Sequence, residues 1–448
     1  MAIKRFTKWL WEPVSNAPLA TFRVLFGLAM AYGTVRFWAS GWIEDHFINT
    51  QVQFKYYGFE WVGLLPPEGM YLLYGAMLAG ALGIALGVWY RFSALLFFLA
   101  FTYAELIDLT YYLNHYYFVS LVSLLLVIVP AQRRFSIDCL LRPGLAVREV
   151  PRWAILVFQV QIALVYLYAG LAKINSHWLI EAMPLRIWLP AQNGLPLIGP
   201  LFEWPALPWV FAWAGMLYDT TIVFWLCWAK SRPWAYLSVL VFHGLTAAMF
   251  QIGIFPLVMV VATWIYFPPG FHEDLLRRLQ GVGFREKTSP MRLTFAAPWR
   301  ASLLSIFLFL YLGFQVLFPW RYLLYPGDVF WTEEGYRFSW RVMLMEKAGT
   351  ATFYVKDRRS GREGIVDNSE FLRPHQEKQM AMQPDLILQF AHFLKRHYEK
   401  KGVYKPQVRV EAYVTLNGRP SRLLIDPQLD LTGVRDAWTP KKWILHYE

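Results

Sequence analysis

The sequence predicts a helical bundle embedded in a membrane, followed by a smaller α+β domain outside it. Of the 448 residues, 56% are apolar and only 17% are charged, whereas soluble domains are usually about one quarter charged. Apolar segments of the length that a bilayer requires recur between residues 19 and 318. Beyond residue 320 the pattern changes to short alternating segments separated by polar turns.

Nine apolar segments are long enough to be predicted as membrane-spanning helices. They lie at residues 19–37, 70–88, 92–109, 112–129, 153–173, 208–228, 234–249, 252–267 and 302–318. Two pairs of neighbouring segments have very short connections, so a bundle of eight helices is the alternative. We therefore predict a membrane region at residues 1–320 and an extramembrane domain at residues 321–448.

The basic residues predict the orientation of this bundle, because lysine and arginine are enriched in the cytoplasmic connections of membrane proteins. If the N-terminus is cytoplasmic, the inner connections include the arginine-rich stretch 131–152 and the loop 268–301. The outer connections then contain almost only Lys55 and Arg186. This pattern predicts an integral, multi-pass protein with residues 321–448 on the extracytoplasmic side. It also accounts for the net charge of +12, so no nucleic acid partner is expected.

The C-terminal residues show the signals of a small α+β domain. The stretch "RVMLMEKAGTATFYVKDRRSGREGIVD" predicts strands around a polar turn at 357–361. The segment 374–402 predicts one amphipathic helix that ends at Gly402. Asn417-Gly418 predicts the turn of a hairpin, because both residues tolerate the positive φ angles that such turns need.

Few ionisable residues fall within the predicted spans, and each is a candidate for a specific role. They are Arg23, Arg36, Glu105, Asp108, His115, Lys173, Asp219 and His243. We expect Arg23 and Asp219 to form a buried structural ion pair. Glu105 and Asp108 are expected to face a neighbouring arginine. A lysine near the end of a span, such as Lys173 in "LVYLYAGLAKINSHWL", is more often an anchor that reaches the surface than a reactive amine.

No metal site is expected from the sequence. His392 and His397 are five positions apart in the predicted C-terminal helix, which is poor spacing for two zinc ligands. The two cysteines, Cys139 and Cys227, lie in a basic loop and in an apolar segment, and they are too few for a disulfide framework.

Three segments together resemble the vitamin K-dependent gamma-carboxylase family, within the broader group of HTTM-domain proteins. They are "NHYYFVSLVSLLLVIVPAQRRFSID", "YLYAGLAKINSHW" and "FHGLTAAMFQIGIF". The similarity continues in "APLATFRVLFGLAM" near the N-terminus and in "FSWRVMLMEKAGTATFYVKDRRSGREG" beyond the last span. The resemblance therefore extends in order along nearly the whole chain.

The resemblance implies a reaction and its participants. It implies a carboxylase of the carbon–carbon lyase class that oxidises reduced vitamin K, a phylloquinol or menaquinol, with O2 to its epoxide. The base generated in this way adds CO2 to the glutamate of a protein or peptide substrate. The quinol would come from the quinone pool of the membrane lipid, and no metal would be needed.

The resemblance also assigns roles to individual residues. Lys173 matches the family's catalytic lysine, and His115, preceded by Asn114, matches its catalytic histidine. His243 matches a histidine of a later span. We expect a quinone-binding site formed by His243 together with Tyr166, Trp340, Met343 and Met345, the last standing where the family is expected to have a histidine.

A buried lysine can act as a base in this reaction. The γ-proton of glutamate is too weakly acidic for a side-chain base, so a stronger base must be generated in a site that excludes water. A neutral amine can begin this process by deprotonating the quinol, and desolvation favours the neutral amine. Asn114, His115 and His243 would then stabilise the oxyanions formed. With the resemblance, we interpret Lys173 as a base.

Other functions remain open at this point. The same fold could oxidise or epoxidise a quinol without carboxylating glutamate. His115 and His243 could instead ligate a haem in a quinol electron-transfer protein. For the carboxylase, we expect a polar opening between residues 321–448 and the loop 174–207 that leads down to Lys173. If Lys173 were sealed from the outer domain, a lipid-soluble substrate would be the better interpretation.

Overall fold

The computed structural model describes residues 2–196, 198–280 and 298–447. Two short strands, β1 (Pro13–Ser15) and β2 (Glu149–Pro151), pair in antiparallel orientation within the membrane region. The helices of that region are α1 (Ala2–Leu10), α2 (Ala17–Ala39), α3 (Pro67–Leu86), α4 (Tyr90–Ile107), α5 (Asn114–Ile128), α6 (Ile137–Leu141), α7 (Trp153–Ala172), α8 (Ser176–Leu179), α9 (Leu185–Trp188), α10 (Leu207–Cys227), α11 (Arg232–Met249), α12 (Phe255–Thr263), α13 (Pro269–Gln280) and α14 (Pro298–Leu317).

Six helices of the described chain are long and apolar enough to cross a membrane. They are α2, α3, α4, α7, α10 and α14, the last extended by the turn that follows it. A seventh crossing results if α12 and α13, which are bent by 109° at their junction, form one broken span.

The predicted count of nine spans is not confirmed, although every predicted segment contains a helix. The predicted fourth span, α5, has only 15 residues. The predicted seventh, α11, carries Arg232, Ser238 and His243 and is too polar to pass the same test of length and hydropathy. Of the basic residues predicted for the 268–301 loop, Arg285, Lys287 and Arg292 lie outside the described residues.

Close approach of α2 and α3 depends on a glycine. A Cβ atom on Gly27 would lie 2.5 Å from the backbone nitrogen of Ala85, closer than two such atoms can come. Only glycine therefore lets these backbones touch, and α3 in turn packs along α4. These three helices form the side of the bundle that carries the candidate site.

Arg23 is fully buried, and it stabilises the end of a helix instead of pairing with Asp219. Its guanidinium donates to the carbonyl oxygens of Ile84 at 2.5 Å and Ala85 at 2.7 Å, and also to that of Phe135. The last carbonyls of a helix lack partners within the helix and carry partial negative charge, so a cation is favourable there. The expected Arg23–Asp219 ion pair is wrong.

The C-terminal domain is an α+β structure, as predicted. Its strands are β3 (Lys347–Lys356), β4 (Glu363–Ile365), β5 (Gln407–Leu416) and β6 (Arg422–Leu423), and its helices are α15 (Val329–Thr332), α16 (Pro374–Met380) and α17 (Pro384–Lys400). The strands form one antiparallel sheet in the order β4–β3–β5–β6. Alternate residues of β5, from Val408 to Leu416, are fully buried, as expected for a sheet with one covered face.

Two local predictions in this domain have different outcomes. Asn417 and Gly418 have φ angles of 52° and 70°, so the predicted hairpin turn is confirmed. The single helix predicted for 374–402 is wrong, because the chain breaks into α16 and α17 before Pro384. Proline disfavours helical geometry in the residue before it, and Gln383 is accordingly extended.

The C-terminal domain docks on the bundle through polar contacts to buried groups. Gln376 of α16 donates to the carbonyl of Val52 at 2.8 Å and to the Asp108 carboxylate at 2.7 Å. Gln389 of α17 exchanges hydrogen bonds with the backbone of Lys55. These contacts hold the domain over the ends of α4 and α5, where a large cavity lies.

Candidate active site

A cavity of about 1030 Å3 lies between the helical bundle and the C-terminal domain. Its wall combines residues of α2, α4, α5 and the α11–α12 connection with four residues of the C-terminal domain. Those four are Val342, Met343, His375 and Gln379. Much of the remaining wall is aromatic, including Phe37, Phe47, Tyr74, Phe101, Tyr116 and Phe255. A cavity of this size and lining is suited to a flat, apolar ligand with a few polar atoms.

Asn114 and His115 are brought into this wall because α5 begins at Asn114. The end of α4 is set by Asp108, whose carboxylate accepts from the backbone nitrogen and hydroxyl of Thr110 at 2.9 and 2.7 Å. One short turn and an extended Leu113 then redirect the chain into α5. The first two residues of the helix are thereby placed beside the C-terminal domain.

Asn114 links the two parts of the molecule. Its amide nitrogen donates to the carbonyl oxygen of Arg341 at 3.1 Å, and its amide oxygen accepts from the Tyr112 hydroxyl at 3.0 Å. Tyr112 in turn accepts from the backbone nitrogen of Phe338 at 2.7 Å. The position of Asn114 therefore depends on the segment 338–341 of the C-terminal domain.

His115 is buried but has an unused polar atom. Its ring contacts Tyr116 and Phe255, with centroids 4.5 and 5.5 Å away, and only 7% of the residue is exposed. Its Nε2 atom has no hydrogen-bond partner in the described part of the chain. Buried polar atoms are rarely left without a partner, so one facing a cavity indicates a place for a ligand or water.

Lys173 caps the end of α7 and is held in a buried ion pair. Its Nζ atom lies 2.7 Å from a carboxylate oxygen of Asp219 on α10 and 3.2 Å from the carbonyl oxygen of Ala169. The Trp178 ring covers the amine, with its centroid 5.3 Å away. Lys173 is 6% exposed. It is therefore a fully engaged buried amine and not an anchor that reaches the surface.

His243 belongs to the same interior but not to the cavity wall. Its Nε2 atom lies 2.9 Å from the Tyr166 hydroxyl, and its ring contacts Phe255 at 5.5 Å. Phe255 also contacts His115 at 5.5 Å, so one phenyl ring packs against both imidazoles. The structure thus brings Tyr166 and His243 together, and Phe255 contacts both His243 and His115.

The expected quinone-contact residues are distributed over two cavities and the core. Met343 lines both cavities, and Met345 lines only a second, smaller one. Trp340 is 1% exposed and stacks on Tyr117 at 5.0 Å, inside the packed core. Among the described residues that line the main cavity, Asn114, His115 and Met343 are present, whereas Lys173, His243, Tyr166, Trp340 and Met345 are not.

The expected opening beneath the C-terminal domain exists, but it leads to a different residue. The main cavity is lined by Gln192 of the 174–207 loop and by residues of the C-terminal domain, as the expected route required. It reaches Asn114 and His115, whereas Lys173 lies buried beneath Trp178. Neither of the two cavities described here is lined by Lys173, so a path directly to Lys173 stays a prediction.

Polar residues that the sequence did not single out for this site line the main cavity. They include His46, Arg36, Glu105 and His375. Tyr111 contacts both histidines, with ring centroids 4.2 Å from His46 and 4.8 Å from His375, and stacks on the latter. Asp108 and Glu105 do not pair with an arginine within the described residues. Asp108 is held instead by Thr110 and Gln376. Nothing in the sequence marks His375, which is 260 positions away from His115, as a neighbour of this cavity.

The second cavity, of about 330 Å3, adjoins the first and is rich in cationic side chains. Thr110, Tyr112, Leu113, Asn114, Met343 and Gln379 line both. Arg337, Arg341, Lys347 and Lys378 line the smaller one, against the two carboxylates of Glu333 and Glu346. We refer to this smaller cavity as the basic vestibule.

Two of these cations lack a carboxylate partner among the described residues. Arg337 pairs with Asp385, and Lys347 pairs with Glu333. Arg341 is 7% exposed and lies over the Tyr322 ring at 4.1 Å, and Lys378 is exposed. Burial lowers the pKa of the Arg341 guanidinium, which is the expected effect on a desolvated cation. The vestibule is therefore suited to an anionic group.

Two family models match consecutive parts of the sequence. Residues 11–271 match the family model described as HTTM domain. Residues 300–448 match the model described as Vitamin K-dependent gamma-carboxylase, lumenal domain. The two matches follow each other in order along most of the chain. No solved structure matches it.

Proposed function

Because this chain belongs to the vitamin K-dependent gamma-carboxylase family, we propose that it couples oxidation of reduced vitamin K by O2 to carboxylation of glutamate in a protein or peptide. The observation that carries the proposal is that two cavities of different character share a wall. An aromatic cavity that reaches Asn114 and His115 adjoins a vestibule lined by four cationic side chains, two of which lack a carboxylate partner among the described residues. One suits a quinol, and the other suits a carboxylate.

The aromatic cavity fits a reduced naphthoquinone, a phylloquinol or menaquinol. Phe37, Tyr74, Phe101 and Phe255 provide flat apolar surface, and His115 presents an Nε2 atom without a described partner. Bound there, the quinol would supply, through its reaction with O2, the strong base that glutamate deprotonation requires. The membrane quinone pool would be its source, since the ligand is apolar. Asn114 and His115 would orient its oxygen atoms and exclude water from them.

Lys173 keeps its proposed role as a base, with Asp219 as an essential partner. Only a neutral amine can accept a proton, and Lys173 Nζ is neutral when the proton of the pair resides on the carboxyl group. Both side chains are shielded from solvent, so the pair exchanges that proton with few competing acceptors. Tyr166 and His243 are hydrogen-bonded to each other. They would position the side chains that lie between the Lys173–Asp219 pair and Phe255.

The basic vestibule is the proposed route of the glutamate side chain. A peptide carries backbone groups that cannot cross hydrocarbon without partners, so it must enter from an aqueous face. The vestibule lies against the C-terminal domain, and its unpaired cations, Arg341 and Lys378, can bind a carboxylate. Its shared wall with the main cavity includes Asn114, so substrate and quinol would meet there.

A second candidate function is quinol oxidation to the epoxide without glutamate carboxylation. The observation in its favour is that Lys173 lies beneath Trp178 and outside the described wall of both cavities. A haem-bearing electron-transfer protein is less well supported. Phe255 contacts both His115 and His243 at a ring-centroid distance of 5.5 Å, so a phenyl ring already occupies space next to each imidazole.

We also propose that the N-terminus is cytoplasmic and that the C-terminal domain is extracytoplasmic. Contacts between the N-terminal residues, the 131–152 loop and α13 support a common side for these segments. Arg152 pairs with Glu12, and Arg134 pairs with Glu273. Labelling of single cysteines with a membrane-impermeant reagent tests this proposal. A 268–301 loop that is accessible from outside would overturn it.

The function is tested by supplying the purified protein with phylloquinol and O2 and measuring the epoxide by chromatography. The carboxylase proposal predicts epoxide that increases when bicarbonate and a glutamate peptide are added. An amount of epoxide that does not change when the peptide is added supports the second candidate function. No epoxide under either condition would contradict both.

A further inference from the structure

Two polar residues of the main cavity have no role in the proposed function so far. Glu105 of α4 and Arg36 of α2 both line the cavity. Within the described chain Glu105 forms neither a hydrogen bond nor an ion pair, although it lies within a candidate span. Glu105 is partly buried and lines the cavity. Ionisable groups at such depth are costly, so those without a protein partner usually mark a ligand or an ion pathway.

Arg36 is also without a carboxylate partner in the described residues. Its guanidinium lies over the Trp42 ring, 4.8 Å from the centroid, and this contact leaves its N–H donors available. Arg36 and Glu105 do not pair with each other, although they line one cavity. An acceptor and a donor that line one cavity without pairing offer the two halves of a site for a ligand that needs both.

The location of this pair relates it to His115. Tyr116 adjoins His115 in α5, with ring centroids 4.5 Å apart, and it lies within electrostatic reach of both Glu105 and Arg36. A flat ligand whose polar atoms lie between Glu105 and Arg36 would therefore also contact the aromatic wall next to the unpartnered Nε2 of His115. The apolar residues of the wall would surround the rest of the ring.

We propose that Glu105 and Arg36 bind the oxygen atoms of the quinol head group. Glu105 accepts a hydrogen bond from a hydroxyl group of the reduced ligand, and Arg36 donates to an oxygen of either the reduced or the oxidised ligand. A quinone has no hydroxyl to donate, so Glu105 makes the site selective for the reduced form. This assignment rests on the proposed quinol chemistry and adds a determinant of redox selectivity to it.

The test is a binding titration of the full-length protein in detergent, followed by quenching of its tryptophan fluorescence. Phylloquinone and, under argon, chemically reduced phylloquinol are the two ligands. Glu105→Gln should weaken phylloquinol binding about tenfold, because the proposed carboxylate acceptor is lost, and should leave phylloquinone binding within about twofold. Arg36→Gln should weaken binding of both. Exposed Glu68 and Arg422 provide the matched controls Glu68→Gln and Arg422→Gln, which should change neither.

The outcomes separate this assignment from the function on which it rests. If wild-type protein binds neither ligand, the quinol function and the assignment both fail. If wild-type protein binds both ligands and Glu105→Gln leaves the ratio of the two affinities unchanged, only the assignment fails. Should Glu105→Gln unfold the protein, Glu105→Asp retains the carboxylate and must keep the preference for phylloquinol. Loss of that preference in a folded Glu105→Asp protein would also overturn the assignment.

Discussion

Lys173 Nζ and Asp219 Oδ2 are 2.7 Å apart, and each of these two side chains is only 7% exposed. Removing one partner of such a pair leaves an uncompensated charge in the interior, whereas replacing both with apolar groups of similar volume is often nearly neutral for stability. The pair can therefore be dissected, because its structural contribution and its chemical contribution respond differently to single and double substitution.

We predict that Lys173→Met alone destabilises the protein by about 3–5 kcal/mol, since Asp219 is left buried without its cation. The double variant Lys173→Met/Asp219→Leu should recover most of that loss. Neither variant should form epoxide or carboxylated peptide, because both lack the amine. Thermal unfolding in detergent and the two product assays provide the measurements. A stable and active double variant would show that Lys173 is needed only to neutralise Asp219.

Lys173→Arg is predicted to be inactive while remaining better folded than Lys173→Met. A guanidinium can keep the ion pair with Asp219, but it stays protonated and cannot act as a base. The melting temperature and the rate of epoxide formation are measured on the same preparation. Substantial activity in Lys173→Arg would remove the amine from the mechanism.

Substitution in the basic vestibule is predicted to weaken binding of the glutamate peptide and to leave binding of the quinol unchanged. Arg341→Gln keeps the backbone carbonyl that holds Asn114 but removes the buried cation, so the KM for a glutamate peptide should rise about tenfold or more. Lys378→Gln should have a smaller effect, because Lys378 is exposed and its charge is screened. Exposed Lys442, outside the vestibule, supplies the control Lys442→Gln.

The contradicting result for the vestibule is specific. If Arg341→Gln lowers epoxide formation in the absence of peptide and leaves the KM for the peptide unchanged, the cation supports the quinol site and not the glutamate route.

The Arg337–Asp385 pair predicts how the C-terminal domain responds to acid. Burial by itself raises the pKa of the Asp385 carboxyl, but the Arg337 charge outweighs this effect and holds the pKa below its ordinary value. A carboxyl with a lowered pKa stabilises the folded state above its unfolded pKa of about 3.9, and this contribution is lost as pH falls through the folded pKa. Asp385→Asn should therefore cost about 1–3 kcal/mol at pH 7.

The difference in melting temperature between wild type and Asp385→Asn should narrow as pH falls below about 4. Exposed Asp426 offers the control Asp426→Asn, whose melting temperature should equal that of wild type at each pH. A difference that stays constant with pH would mean that the loss in Asp385→Asn arises from packing and not from the ion pair.

The features that were predicted correctly are those encoded by local sequence. Apolar segments of bilayer length place the helices near their observed bounds, and the Asn417-Gly418 pair specifies its own turn through two positive φ angles. The break at Pro384 was also signalled locally, by the effect of proline on Gln383, but amphipathic periodicity on both sides concealed it. The number of spans is harder to predict. The α5 helix is short and the α11 helix is polar, so the sequence does not determine how deeply either one lies in the membrane.

Pairing between distant helices could not be predicted in the same way. Lys173 and Asp219 are 46 positions apart, and hydropathy shows only that each lies in an apolar segment. Arg23 was an equally plausible partner for Asp219 until the structure showed it at the carbonyl end of α3. The cavity likewise depends on how the C-terminal domain docks, since Met343 and His375 reach it only through contacts such as Gln376 to Asp108.

The central claim is most directly tested by locating carbon from labelled bicarbonate after the wild-type protein has been incubated with phylloquinol, O2 and a glutamate peptide. The account predicts label in a second carboxyl group on the γ-carbon of the peptide glutamate, formed together with vitamin K epoxide and absent in Lys173→Ala. Epoxide formation by the wild-type protein without label in the peptide would contradict glutamate carboxylation and leave a quinol epoxidase.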